Sequence, residues 1–384
     1  MGGTETYVRG LLGEYAGGAG PERVTVIAGA RAAASVRSLA GGPVTIEELP
    51  GAEPGDGRAG RATGLVRGLV APPAAARRLA ADADVLHLPL TVPVPRRRGA
   101  TVLTLHDLLH HELPVLFPAA ERAFRRVAYD EAARRATRVI TDSEHARTQI
   151  VYRLRIPADR VVAIHLGVDH AHLRPGGEDD AAALAGLDLP PPPWLYYPAA
   201  LWPHKNHERL LAALAGCPPE LGLVLSGSDV GRGDALRATA ERLVVAGRVR
   251  DLGWVPHAAV PALYRAAAGV VYPSLAEGFG MPPVEAMACG TPVAASDAAA
   301  IAEACGGAAL AFDPLDVGAM AAAMTRLATD ERLRVELREA GLARDVHGGP
   351  QLTLGGLECR FRRRAAARTR QRLRGARRVG KRAG

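Results

Sequence analysis

Lysine and asparagine are almost missing from this chain of 384 residues. Lys205 and Lys381 are the two lysines, Asn206 is the sole asparagine, and every other basic residue is arginine. Such a bias points to a GC-rich coding sequence, and it makes the adjacency of Lys205 and Asn206 informative. We read Lys205 as a place that needs a compact ammonium, where the wider guanidinium fork does not fit. Long apolar runs are absent as well. With no stretch of about 18 apolar residues, no transmembrane helix is expected. No charged segment leads into an apolar one at the start, so no secretory signal is expected. The four cysteines, Cys217, Cys289, Cys305 and Cys359, are scattered and lack metal-ligand spacing. They read as reduced thiols of a cytoplasmic protein.

The formal net charge of +8 belongs to one end of the chain. From residue 343 onward, 13 Arg and Lys face two acidic residues, Asp345 and Glu358, which leaves residues 1–342 mildly acidic. A nucleic-acid-binding reading of the whole protein therefore loses its support. The Arg/Ala/Gly-rich end has three readings: a disordered or weakly helical extension, the product of a shifted reading frame, or a polybasic contact with an anionic membrane surface.

Short apolar runs alternate with amphipathic stretches, the pattern of an α/β protein with parallel sheets. Strands are expected at 23–28, 44–48, 84–88, 101–105, 138–141 and 160–164, with helices at 119–136 and 144–154. Ser143 suits the N-cap of the latter. A polar, Pro-rich break at 174–193 then separates two such units. Strands resume at 194–198, 221–226, 248–252, 269–272, 292–295 and 308–311. Helices are expected at 206–215, 234–246, 259–267, 282–289, 316–328 and 330–340. This gives an N-terminal domain over 1–175, a linker over 176–193, a C-terminal domain over 194–342 and a tail over 343–384. The chain opens on Gly2, Gly3 and an amphipathic helix pattern through Tyr15. A Gly-rich turn normally follows a strand, so the first strand of the N-terminal domain reads as missing. Two Rossmann-like units leave a ligand cleft at their strand C-terminal ends.

The segment 272–293 holds the densest chemistry. It runs from a strand end through Glu277, Gly278, Phe279, Gly280 and Met281 into a helix carrying Glu285, then to Gly290, Thr291 and Pro292. Pro282 suits a first helical turn and Gly290 a helix end. Loop N–H groups and a helix N-terminus suit a diphosphate. Two Glu eight residues apart would be weak evidence taken alone, because each could be a solvated or capping carboxylate.

The full stretch resembles the E-x7-E donor region of retaining family-4 glycosyltransferases with the GT-B fold. Other landmarks of that family occur in order. Gly2 and Gly3, followed by Thr4 to Val8, resemble its N-terminal Gly-Gly loop. Thr104, Leu105, His106 and Asp107 resemble the acceptor-side strand end. Segment 199–206, with Lys205 and Asn206, resembles the phosphate-binding loop, and Gly227 a further strand-end Gly loop. The resemblance implies transfer of a hexose from a nucleoside-diphosphate sugar to a glycan or lipid-linked acceptor in envelope polysaccharide synthesis. Lys205, Gly2, Gly3, Asn206, Gly227 and Gly278 to Met281 would hold the donor. Glu277 would contact the sugar and stabilise positive charge at its anomeric carbon, Glu285 would accept from ribose hydroxyls, and His106 would contact a sugar hydroxyl. No cofactor and no metal are expected.

The sequence departs from the family where an Arg commonly precedes the Lys by about five residues; here Ala200 stands there. A mannosyltransferase-like subgroup shares that lack, which favours GDP-mannose. His204 and His207 could add charge if protonated, or be surface histidines. His106, His110, His111 and Glu112 invite a metal, but the H-x3-H-H spacing fits no standard site. Residues 142–145 read as helix capping. Two other readings stay open: a sugar-nucleotide 2-epimerase, which needs further carboxylates, and a non-catalytic sugar-nucleotide-binding protein.

Overall fold

Runs of four or five mostly apolar residues become central strands such as Trp194–Pro198, Gly222–Ser226 and Gly269–Tyr272, and their burial on both faces follows from their lack of alternation. The computed structural model describes residues 3–17, 23–49, 73–89, 99–177 and 179–345. Gly2 and nearly all of the Arg-rich end, residues 346–384, lie outside the described residues. The described residues fall into two compact units, 3–83 and 84–345.

The first unit opens on the helix Gly3–Ala16. Strands β1 (Val24–Ala28) and β2 (Val44–Glu48) pair in parallel, with Val24 opposite Val44. Its described residues also include the helices Ala30–Val36 and Ala74–Asp82 and a 3-10 turn Arg37–Leu39.

The second unit carries two parallel sheets. One has the order β3-β4-β5-β6, from Val85–Leu88, Ala100–Thr104, Arg138–Thr141 and Val161–Ala163. Leu103, Val139, Ile150 and Leu154 form its core. The other sheet contains β7 (Trp194–Pro198), β8 (Gly222–Ser226), β9 (Val249–Asp251), β10 (Gly269–Tyr272), β11 (Val293–Ser296) and β12 (Leu310–Phe312). Its spatial order is β12-β11-β10-β7-β8-β9. A larger core surrounds it, including Leu195, Tyr196, Val224, Val270 and Met324. Each such fully buried aliphatic side chain contributes about 1.5–3 kcal/mol over an exposed one.

That order has one functional consequence. The chain winds outward from β7 through β8 to β9, then returns to β10 on the other flank of β7 and winds outward again. The β7/β10 pair, with Val270 opposite Tyr196, is the topological switch point. Loops leaving the C-terminal ends of two such strands diverge and leave a crevice.

Most expected elements occur. The expected helix over 119–136 does not run unbroken: it is Ala119–Arg125, a π-helical turn Arg126–Asp130, and Glu131–Arg135. Five helices among the described residues were not anticipated: Ala30–Val36, Ala74–Asp82, Leu109–Glu112, Asp180–Leu184 and Ala299–Cys305. Among the described residues no helix is long and apolar enough to cross a membrane.

Candidate active site

The loop after β7 turns through the short 3-10 segment Pro203–Lys205 and ends on Asn206 in the left-handed region, φ 62°. Asparagine tolerates that conformation better than most residues. Its side chain is buried and spends both amide hydrogens on the scaffold, donating to the carbonyls of Pro273 (3.1 Å) and Pro314 (2.8 Å). The N–H of Leu275 donates to the His204 carbonyl at 2.8 Å. The loops leaving β7 and β10 are thereby stitched together. Gly227, after β8, runs so close beneath the first loop that a Cβ would stand 2.5 Å from the Ala199 carbonyl, and its φ of +149° is one that side chains rarely adopt. Only glycine fits there.

This stitching brings Lys205 to Glu277. The ammonium lies 2.5 Å from Glu277 Oε1 and donates to the Tyr272 hydroxyl at 3.1 Å; that hydroxyl donates in turn to Glu277 Oε1 at 2.9 Å. The two charged side chains are only 15% and 13% exposed. Burial disfavours charge on both. The Glu277 carboxylate nevertheless holds the Lys205 ammonium above its ordinary pKa, and Lys205 holds Glu277 below the usual carboxylate range. Attraction between neighbouring charges outweighs desolvation here because they touch in a poorly screened environment.

Beyond Glu277 the chain makes an approach that excludes side chains. A Cβ on Gly278 would sit 2.0 Å from the His106 carbonyl oxygen. Phe279 turns inward onto Val284 and Ala304, with Met281 and Leu166 against that cluster. Gly280, φ +110°, caps the helix Met281–Ala288, whose first N–H groups are thus left facing the loop. Glu285, on that helix, accepts from the Tyr264 hydroxyl at 2.8 Å. Burial raises its pKa, and this single neutral donor offsets the effect only in part.

His106, just past β4, is held at both ring nitrogens: Nδ1 lies 2.7 Å from Asp142 Oδ2, and Nε2 lies 3.2 Å from the Pro89 carbonyl. Burial alone would lower its pKa, but the hydrogen bond and charge of Asp142, with Asp107 beyond, raise it. Contact with a sugar hydroxyl through Nε2 therefore means exchanging the Pro89 carbonyl. Ser143 caps its helix by accepting from the Ala146 N–H at 3.0 Å, and it also donates to the Gly278 carbonyl at 2.7 Å. Glu303 accepts from the N–H groups of Glu144 (2.7 Å) and His145 (2.9 Å) and from His165 (2.7 Å). The segment read as simple capping thus fastens the Glu277 loop and its neighbours to the end of the four-stranded sheet.

The remaining histidines divide. His204 and His207 are not surface residues with charge to spare: burial lowers both, and with Lys205 nearby it brings His207 to about 3. Lys205 stays the cation of this loop. His110 and His111 do not join His106. They donate to the two oxygens of Asp130, at 3.0 and 2.7 Å, from the π-helical turn. Burial works against the Asp130 charge, but the two imidazoles hold its carboxyl below the usual range. The ligand atoms of the three lie within 4.8 Å of one another, a spacing that a divalent cation would also accept. Among the described residues it is this trio, rather than the H-x3-H-H run, that has a spacing suited to a metal.

Of the anticipated residues, Lys205, Glu277 and Glu285 gather around the β7/β10 switch point, with Gly278 against His106. Gly227 and Asn206 shape the loops, and Phe279 and Met281 pack inward. Gly3 opens the helix of the first unit. Sequence reasoning missed Tyr272, Tyr264, Asp142 and Glu303. Tyr272 stands at an expected strand end and Tyr264 within an expected helix, and their hydroxyl positions depend on contacts 5 and 21 residues away.

Comparison with known proteins meets this geometry. Residues 188–344 match the family described as Glycosyl transferases group 1, and residues 1–172 match Glycosyltransferase Family 4. An O-antigen chain mannosyltransferase B of Escherichia coli is 32% identical over 254 residues, covering 65% of this chain and 67% of its own length. A D-inositol 3-phosphate glycosyltransferase of Mycobacterium sp. (strain JLS) is 35% identical over 179 residues, 46% of this chain and 40% of its own length. Among solved structures, HepE of Anabaena, crystallised with UDP and glucose, superposes with a TM-score of 0.72 at 21% identity, covering 94% of this chain and 95% of its own. That likeness shows the fold, GT-B, with parallel sheets in an α/β architecture.

Proposed function

This chain belongs to glycosyltransferase family 4, and from that premise we propose that it moves a hexose, mannose in the first instance, from a nucleoside-diphosphate sugar to a glycan or lipid-linked acceptor with retention of configuration. The observation that carries the reading is the buried Lys205–Glu277 pair at the switch point, beside the opening turn of the helix that bears Glu285. Departure of the sugar places negative charge on the diphosphate. Lys205 and the N–H groups at the start of Met281–Ala288 meet that charge where water screens it little. Glu277, left ionised, faces the sugar and stabilises positive charge at the anomeric carbon. Glu285 accepts from the ribose hydroxyls. The leaving phosphate takes the acceptor's proton, so no enzymic nucleophile and no metal is called for. We assign acceptor recognition to residues 1–175 and donor binding to 194–342, and we place the reaction in the cytoplasm, as a step of envelope polysaccharide synthesis. The Escherichia coli relative, named as a mannosyltransferase, supports mannose and thus GDP-mannose as donor.

The test is a binding and hydrolysis screen of the purified chain against GDP-, UDP-, ADP- and dTDP-sugars. GDP-mannose is expected to bind tightest and to be hydrolysed slowly without acceptor. Preference for another base would overturn the mannosyl donor, and binding of none would overturn the donor site.

A further inference from the structure

The pairing of Lys205 with Glu277 poses a problem for the donor reading. If the ammonium is to meet a diphosphate, it must loosen its hold on Glu277, and a carboxylate this deeply buried then loses the partner that keeps it charged and aimed. A buried charge without a partner normally takes up a proton instead. The geometry names a second holder. Tyr272 lies at the end of β10, 1% exposed, with its ring fixed by an edge-on contact with Tyr197 at 5.6 Å between centroids. Its hydroxyl accepts from Lys205 and donates to Glu277. The donation to Glu277 survives when the ammonium turns away.

We infer that Tyr272 is a positioning residue of the transfer reaction: its hydroxyl keeps the Glu277 carboxylate oriented and ionised once the donor diphosphate has engaged Lys205. This rests on the donor-site reading above. Other groups face Glu277 and must be counted. Lys205 and His204 come from the turn after β7, Ser274 from the loop after β10, Tyr197 from β7, and Asp107, from the loop after β4, acts on Lys205 and His204. Of these, Lys205 is claimed by the phosphate. His204 is pushed toward neutrality by burial. Tyr197 already donates to the Lys205 carbonyl at 2.7 Å. Asp107 repels. Ser274 offers a hydrogen bond to the carboxylate, but it is also drawn toward the Tyr197 hydroxyl at 3.3 Å. Tyr272 is left as the principal fixed donor. Its own pKa is pushed well above the ordinary phenol value, by burial first and by the Glu277 charge next, so it stays an O–H donor across the working pH range.

The experiment counts protons. GDP and UDP are titrated calorimetrically into the full chain at pH 6 in two buffers of different ionisation heat, for the wild type, Tyr272→Phe, Glu277→Gln and the double variant. Wild type and Glu277→Gln are expected to take up the same number of protons per nucleotide, because Glu277 stays ionised in the complex. Tyr272→Phe is expected to take up a further sizeable fraction of one proton, and the double variant none of that excess. Equal uptake by Tyr272→Phe and wild type would overturn the inference, whatever the change in affinity, because a merely structural role changes affinity alone. The wild-type comparison with Glu277→Gln stands even if Tyr272→Phe folds poorly: an excess near one proton in the wild type would show that Tyr272 does not keep the carboxylate charged. If the wild type binds neither nucleotide, it is the donor site that fails, and the role of Tyr272 with it.

Discussion

Glu277 and Glu285 sit eight residues apart, on a loop and on the helix that follows it, and both are largely enclosed by protein. Their charges respond in opposite ways. The loop carboxylate touches an ammonium and is held below its ordinary pKa; the helix carboxylate accepts from the neutral Tyr264 hydroxyl and is raised by burial. Burial by itself therefore does not decide the charge state of a carboxylate in this site. The partner does, and an ionised partner outweighs a neutral one.

The comparison is broken most forcefully at Lys205. Lys205→Ala removes both the partner of Glu277 and the proposed cation for the leaving diphosphate. Turnover with the donor identified by the screen is expected to fall about 10²–10³-fold, the scale for losing one charge-stabilising group. A turnover within a few-fold of wild type would remove the ammonium from the chemistry.

Thermal melts of two amide variants sharpen the contrast. Glu277, with its folded pKa lowered, contributes stability that is present above the ordinary Glu pKa and lost as pH falls toward the lowered value. Glu285, with its folded pKa raised, costs stability that appears as pH rises from the ordinary Glu value through the raised one. Glu277→Gln at pH 7 is thus expected to destabilise by about 3 kcal/mol, since it strands a buried ammonium, and Glu285→Gln to be neutral or stabilising. Shifts of the same sign in the two variants would contradict the assignment.

Two smaller effects concern the four-stranded side of the second unit. Asp142→Asn removes the bond and charge that raise His106. An imidazole NMR titration should show the His106 pKa falling, with turnover down about tenfold, the scale of one misplaced hydrogen bond; an unmoved titration would show that Asp142 does not govern His106. Glu303→Ala frees two N–H groups at the start of Glu144–Leu154 and releases His165. About 1–2 kcal/mol should be lost, a fall of a few degrees in Tm. An unchanged melt would deny that this contact fastens the loop neighbourhood.

The contrast also explains what could be read in advance. Strands such as β7 and β10, and the helix Glu144–Leu154, followed from apolar runs and a Ser cap, because backbone hydrogen bonding and burial of large side chains act locally. The helix Ala299–Cys305 escaped notice because its Ala-rich run carries little periodic contrast between large apolar and polar residues. The π-helical turn at Arg126–Asp130 interrupts a sequence pattern that itself continues, and only the aim of Asp130 toward His110 and His111 betrays it. In the site, Lys205 stood out by its rarity, and Glu277 and Glu285 through the resemblance of the whole 272–293 segment to the family's donor region. Tyr272 and Asp142 did not, because a strand-end tyrosine and an aspartate before a cap look the same whether their polar atoms meet solvent or a reacting group. What they touch comes from the pairing of β7 with β10, and of β4 with β5, which local pattern does not encode.

The central claim is that Lys205 exchanges Glu277 for a donor phosphate while Glu285 takes the ribose. A crystal structure of the chain with a bound nucleoside diphosphate tests it most directly. The account predicts the Lys205 ammonium within hydrogen-bonding distance of a phosphate oxygen and the Glu285 carboxylate on a ribose hydroxyl. A nucleotide bound elsewhere, with the Lys205–Glu277 pair undisturbed, would contradict it.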